Sequence, residues 1–144
     1  MIRTHIMVHH SLTKDSGTVS WSAIERFHVE TMGWKTVGYH AGVEQVDIDS
    51  QVQALLGRDW TQMAAACPQG EMNRRALHVC VVGNYDLIPP SEEHLRVLVE
   101  RVIMPWRRLF GIPQDAIVGH GDYNPEKSCP GRMFDLDLVR RMAR

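Results

Sequence analysis

Six consecutive residues, Leu77-His78-Val79-Cys80-Val81-Val82, set the tightest limit on how this chain folds. A run so short, apolar and rich in valine suits a strand buried on both faces; a half-exposed strand would alternate polar and apolar positions. Strands of that kind lie inside sheets whose two faces are covered by helices. Ile6-Met7-Val8, within Thr4 to His10, reads as a second short buried strand, and Ile117-Val118 begins a third. Lys35 to Ile48 reads as one long strand or two broken ones, and Val52 to Leu56 as another, stopped by Gly57.

Between these strands the apolar period becomes helical. After Pro90, the residues Leu95, Leu98, Val99, Val102, Ile103, Trp106, Leu109 and Phe110 form one broad stripe. Pro105 is expected to kink or split this helix, and Gly111 and Pro113 to close it. An earlier helix is expected to start at a cap supplied by Ser20 or Ser22, the latter at capping-box spacing from Glu25. Its shared face would hold Ile24, Phe27 and Thr31, and Gly33 would end it. Leu12 to Thr18 reads as a polar loop, Met63 to Arg75 as a loop of small residues, and Asp135 to Arg144 as a terminal helix. Strands alternating with helices predict a single α/β domain over residues 1–144, with a central mixed sheet and helices packed on both faces.

Charge and composition exclude several functions. Sixteen Lys and Arg against 17 Asp and Glu leave a net charge of −1, without the basic footprint of a nucleic-acid binder. No block of like charge marks a membrane-surface arm. No apolar run approaches the roughly 18 residues of a membrane span. The expectation is therefore no nucleic acid, no membrane insertion, and a monomer. Met1 to His10 lacks the apolar core of a signal peptide, which leaves the chain cytoplasmic until another agent releases it. Cys67, Cys80 and Cys129 are an odd number in such a chain, so a thiolate ligand or buried free thiols are favoured over disulfides.

The chemistry concentrates in Val118 to Gly131, V-G-H-G-D-Y-N-P-E-K-S-C-P-G. A histidine stands directly after a strand, and a loop stiffened by Pro125 and Pro130 ends in a cysteine nine positions on. Two prolines fix backbone angles at low entropic cost, which suits a loop that presents side chains to a fixed point. Imidazole nitrogen and thiolate are both good zinc ligands. At the end of the first strand, His9 and His10 point to opposite faces, so only one of them can join a given site. Two histidines and a cysteine leave a fourth position open, the arrangement of a catalytic zinc site.

Four segments in order, VHHS near the N-terminus, VGYH at 37–40, LHVCVVGNYD at 77–86 and GHGDYNPEKSCPG at 119–131, resemble the zinc N-acetylmuramoyl-L-alanine amidases. That group includes phage lysozyme-type amidases and peptidoglycan recognition proteins. The likeness runs from about residue 4 to 140. It implies that His9, His120 and Cys129 hold one Zn2+ per chain, and that Tyr39 and Lys127 assist catalysis. It implies hydrolysis of the amide between N-acetylmuramic acid and L-alanine, with peptidoglycan or a muropeptide as partner. In one branch a glutamate on the central strand serves as base; here that position is Cys80, which aligns the chain with the phage lysozyme-type branch. A phage or prophage endolysin, released by lysis or a holin, fits that branch. The alternative is a sensor that binds peptidoglycan without cutting it, although such sensors typically lose a zinc ligand and all three stand here.

Two positions depart from the family pattern. Ala65-Ala66-Cys67 replaces a loop histidine that often precedes the asparagine matched by Asn73, and His78 stands where a small residue is usual. The remaining histidines, His5, His28, His40 and His94, read as packing or surface residues. Cys80 reads as an inert buried thiol and Cys67 as a more exposed one. Asp122 is positioned to orient His120 or its loop. Arg58 follows Gly57 in a turn, where it would either bind substrate or pair with an acidic neighbour.

Overall fold

Five strands form one mixed sheet in the order β3-β2-β4-β1-β5. The computed structural model describes residues 1–13, 21–46 and 51–144. The strands are β1 (His5–His10), β2 (Ala41–Gln45), β3 (Val52–Leu56), β4 (Ala76–Val81) and β5 (Ile117–Gly119). β1 runs parallel to both β4 and β5, β2 runs parallel to β4, and only the β2–β3 pair is antiparallel. The apolar run of the sequence is thus β4, flanked by β2 and β1, with all six of its residues buried.

Alternate residues of the strands feed two apolar layers. Ile6, Val8, Leu77, Val79 and Val81 pack with the long helix and the terminal helix on one face. That helix runs as α3 (Glu92–Val97), a wider π-type stretch Leu98–Ile103, and α4 (Met104–Phe110). Ser91 caps it, its hydroxyl accepting from His94 N–H. Pro105 does not break it, because the widened stretch just before it accommodates the missing amide donor. Leu109, expected on the buried stripe, is 61% exposed, although Phe110 beside it packs against the core. The terminal helix α5 (Leu136–Met142) is capped by the Asp135 carboxylate.

The other face carries α1 (Trp21–Arg26), continued by Phe27–Thr31, and the short α2 (Met72–Arg75). Ser22, one of the two expected caps, lies inside α1, and the Glu44 carboxylate of β2 accepts from Trp21 N–H at 2.9 Å. Ser20 and Gly17, like Ile48 at the end of the expected strand, lie outside the described residues. The packed face is also rotated from the expected one. Trp21 and His28 are buried, whereas Phe27 is 53% exposed.

Residues 35–40 form turns and not strand. Their polar groups are taken by side chains: Gly38 N–H donates to His28 Nδ1 at 3.0 Å, and Arg58 Nε donates to the Val37 carbonyl at 2.7 Å. Arg58 is therefore held by main-chain carbonyls, and no acidic partner pairs with it among the described residues. Gln69–Glu71 and α2 give regular structure to part of the segment expected as loop. Cys67, expected to be exposed, is fully buried beside Met72 and Ala76.

Candidate metal centre

β1 and β5 are parallel neighbours, so their carboxyl ends open on the same side of the sheet. Open α/β sheets build their sites at such ends. His9 comes from the end of β1, on the face opposite Val8 and His10. His120 follows β5 directly, in the turn His120–Asp122. Asp122 holds that turn by accepting Gly119 N–H at 2.8 Å. The chain then folds back on itself, with Asn124 N–H on the His120 carbonyl at 3.0 Å and Gly121 N–H on the Cys129 carbonyl at 2.8 Å. Gly121 is required for this return, since a Cβ there would lie 2.7 Å from the Lys127 carbonyl. His10 N–H donates to Cys129 Sγ at 3.1 Å and ties the loop's end to β1.

The result is three donor atoms from His9, His120 and Cys129 that all lie within 4.8 Å of one another, each on a buried residue. That span matches the scale of two metal–ligand bonds of about 2.0–2.3 Å. Among the described residues His120 Nε2 is buried and has no hydrogen-bond partner. Buried polar nitrogens rarely stay unpaired, so this atom fits a ligand. Burial holds the pKa of His9 far below its ordinary value, with His78 and His120 adding to the effect. Burial also lowers the pKa of His120, helped by the cation of Lys127. Both imidazoles are thereby neutral, the ligand form. Burial pushes the Cys129 thiol up to about 12, opposed by the His10 amide and Lys127. A thiol in that state ionises only when a strong positive charge arrives, which a divalent ion supplies. The donor set fits zinc.

The two expected catalytic side chains lie around this centre. The Tyr39 ring stands 5.1 Å from that of His9, centroid to centroid. Its hydroxyl hydrogen-bonds Cys80, and burial raises its pKa well above the ordinary phenol value. Lys127 is exposed, on the loop between the two ligands it contributes to, and its charge acts on both His120 and Cys129. A cavity of about 590 Å³ elsewhere, bordered by β3, Trp60 and Trp106, includes none of these five residues.

Two contributors were missed by sequence reasoning. Asp86 accepts Ser128 Oγ–H at 2.7 Å and Arg132 N–H at 2.9 Å, clamping both sides of Cys129; these bonds hold its carboxyl below the usual range. Its place in the quoted VVGNYD segment was the available signal. His78, unexplained from the sequence, has its Nδ1 2.8 Å from His9 Nε2 and its Nε2 2.9 Å from the Met72 carbonyl.

Comparison with known proteins gives the family and the fold. The family model described as N-acetylmuramoyl-L-alanine amidase matches residues 2–132. A human N-acetylmuramoyl-L-alanine amidase is 30% identical over 116 residues, which is 79% of this chain and 19% of that protein. The chain thus spans under a fifth of the length of the curated relatives it matches. Among solved structures, the endolysin N-acetylmuramoyl-L-alanine amidase LysCS from Clostridium intestinale superposes with a TM-score of 0.80 at 19% identity, covering 96% of this chain and 82% of the other. A Drosophila peptidoglycan recognition protein, a mutant of PGRP-LB in complex with tracheal cytotoxin, gives 0.75 at 19% identity, with coverage of 95% and 80%. The fold is theirs, a mixed sheet layered with helices. The chain belongs to the N-acetylmuramoyl-L-alanine amidase family. Among the described residues no helix is long and apolar enough to cross a membrane.

Proposed function

We propose that this protein hydrolyses the amide bond between N-acetylmuramic acid and L-alanine in peptidoglycan, with one zinc ion held by His9, His120 and Cys129. The observation that carries the reading is the convergence of two neutral imidazoles and one buried thiol, with His120 Nε2 unpartnered, in a chain of the amidase family. When bound, zinc supplies Lewis acidity and makes water a usable nucleophile near neutral pH. Tyr39 keeps its proton in this setting and acts by orienting the attacking water through its hydroxyl oxygen. Lys127 offers its ammonium to the negative charge that develops on the carbonyl oxygen. The likeness to LysCS favours use as an endolysin, released to the wall by lysis, and the likeness to a recognition protein bound to tracheal cytotoxin favours a muropeptide as the bound partner. The test is digestion of purified peptidoglycan, scored for new L-alanine amino termini with and without chelator. Release that stops with chelator and returns with zinc is the expected result. Muropeptide binding without any release would replace the enzyme by a sensor.

A further inference from the structure

His78 is fully buried in the middle of β4, and both of its ring nitrogens are engaged. Its Nε2 faces the Met72 carbonyl at 2.9 Å. A carbonyl only accepts, so Nε2 carries the hydrogen. The partners of the ring are a carbonyl and another imidazole, with no carboxylate among the described residues to balance a cation, so the buried ring is neutral. A neutral imidazole protonated at Nε2 has a bare Nδ1, which accepts. The atom 2.8 Å from that Nδ1 is His9 Nε2, which therefore donates. His9 in turn has its lone pair at Nδ1.

The backbone fixes His78 in the same way. Its N–H donates to His40 Nδ1 at 3.0 Å, so His40 carries its hydrogen on Nε2, 3.0 Å from the Gln62 carbonyl; Arg3 Nη2, a donor only, stands farther from that nitrogen at 3.3 Å and spends its hydrogens on the Trp60 and Gln62 carbonyls. Three histidine tautomers thus follow from two main-chain carbonyls, those of Met72 and Gln62. Nothing in this chain of bonds needs a metal to set it.

We propose that His78 is a positioning residue that locks His9 in the Nε2–H tautomer and turns its Nδ1 lone pair toward His120 and Cys129, building the metal ligand before the metal arrives. This rests on the zinc reading above, but the tautomer itself does not. Ligating histidines owe their ring orientation to the partner of their other nitrogen, and loss of such a partner costs about 10- to 100-fold in metal affinity. That partner is usually a carboxylate or carbonyl; here it is a second histidine anchored to α2, the short helix that precedes its own strand.

Two measurements test it. Long-range proton–nitrogen NMR on the metal-free protein should show His9 protonated at Nε2 and bare at Nδ1; a hydrogen on Nδ1 overturns the proposal. Zinc affinity by chelator competition should fall about 10- to 100-fold in His78→Leu and recover partly in His78→Asn, whose side-chain oxygen can accept near the position of Nδ1. Equal zinc affinity in wild type and a folded His78→Leu overturns the proposal and leaves the zinc reading intact. A wild type that binds no zinc, with the tautomer as described, overturns the zinc reading and leaves the His9–His78 lock standing. Should His78→Leu fail to fold, the tautomer measurement on the wild type still decides.

Discussion

Lys127 makes no tight pair among the described residues, yet its charge is felt by both His120 and Cys129. A cation kept exposed beside a buried donor cluster is placed for charge that arrives with substrate. Interactions made only in the transition state lower the barrier without strengthening ground-state binding. Lys127→Ala is therefore expected to lower kcat by about 100- to 1000-fold, the cost of one oxyanion donor, with zinc content and KM little changed. Elemental analysis alongside muropeptide turnover checks this, and unaltered turnover would remove Lys127 from the reaction. At this scale the loop's spacing pointed to His120 and Cys129 and the family resemblance to His9, and the fold brings the donor atoms of these three together. It was silent at His78, whose partners are a carbonyl from α2 and a ring from β1. No local pattern encodes a contact between residues 69 positions apart.

The loop from His120 to Gly131 shows how an element without regular structure is made rigid. Its own hydrogen bonds close it internally, but Asp86 fixes its far side through Ser128 and Arg132. Asp86→Ala removes both bonds at once. The expected outcome is faster amide exchange in residues 126–132 and zinc affinity lower by about tenfold, with α3 and α4 unaffected. Hydrogen exchange and chelator competition read the two effects, and unchanged exchange would show that the loop holds itself. Elements whose determinants lie within the segment were legible: β3 with its full bounds, β4 to within a residue, and the long helix with its terminal Gly111 in the left-handed region. Those set by distant partners were not. The first amide of α1 is taken by Glu44 of β2, and the turns at residues 35–40 are held by His28 and Arg58.

The whole molecule carries a buried histidine network that makes stability depend on pH. Strand order, which brings His40 on one side and His9 on the other against β4, could not be read from the sequence because pairing is a property of the assembled sheet. His40 is pushed down to about 4, chiefly by burial, with Arg3 and Arg58 adding and the Gln62 carbonyl opposing. His78 goes to about 3, again chiefly by burial. In the unfolded chain both titrate near 6.5. Below that pH the unfolded state binds more protons, so stability falls as pH is lowered and levels off only near the folded values. The contribution is complete above about pH 7. For His40 alone, a shift from 6.5 to about 4 corresponds to roughly 3 kcal/mol lost between pH 7 and 4. Urea unfolding in chelator, so that metal binding does not enter, should give a midpoint that drops steadily from pH 7 to 4.5. In His40→Gln the drop should be shallower, because one of the buried proton acceptors is gone, although that variant starts from a lower stability. Chelator matters because zinc binds only the folded state and would add its own pH dependence through the Cys129 proton. A midpoint that stays flat across this range would mean that the buried histidines open to water and take up protons without unfolding.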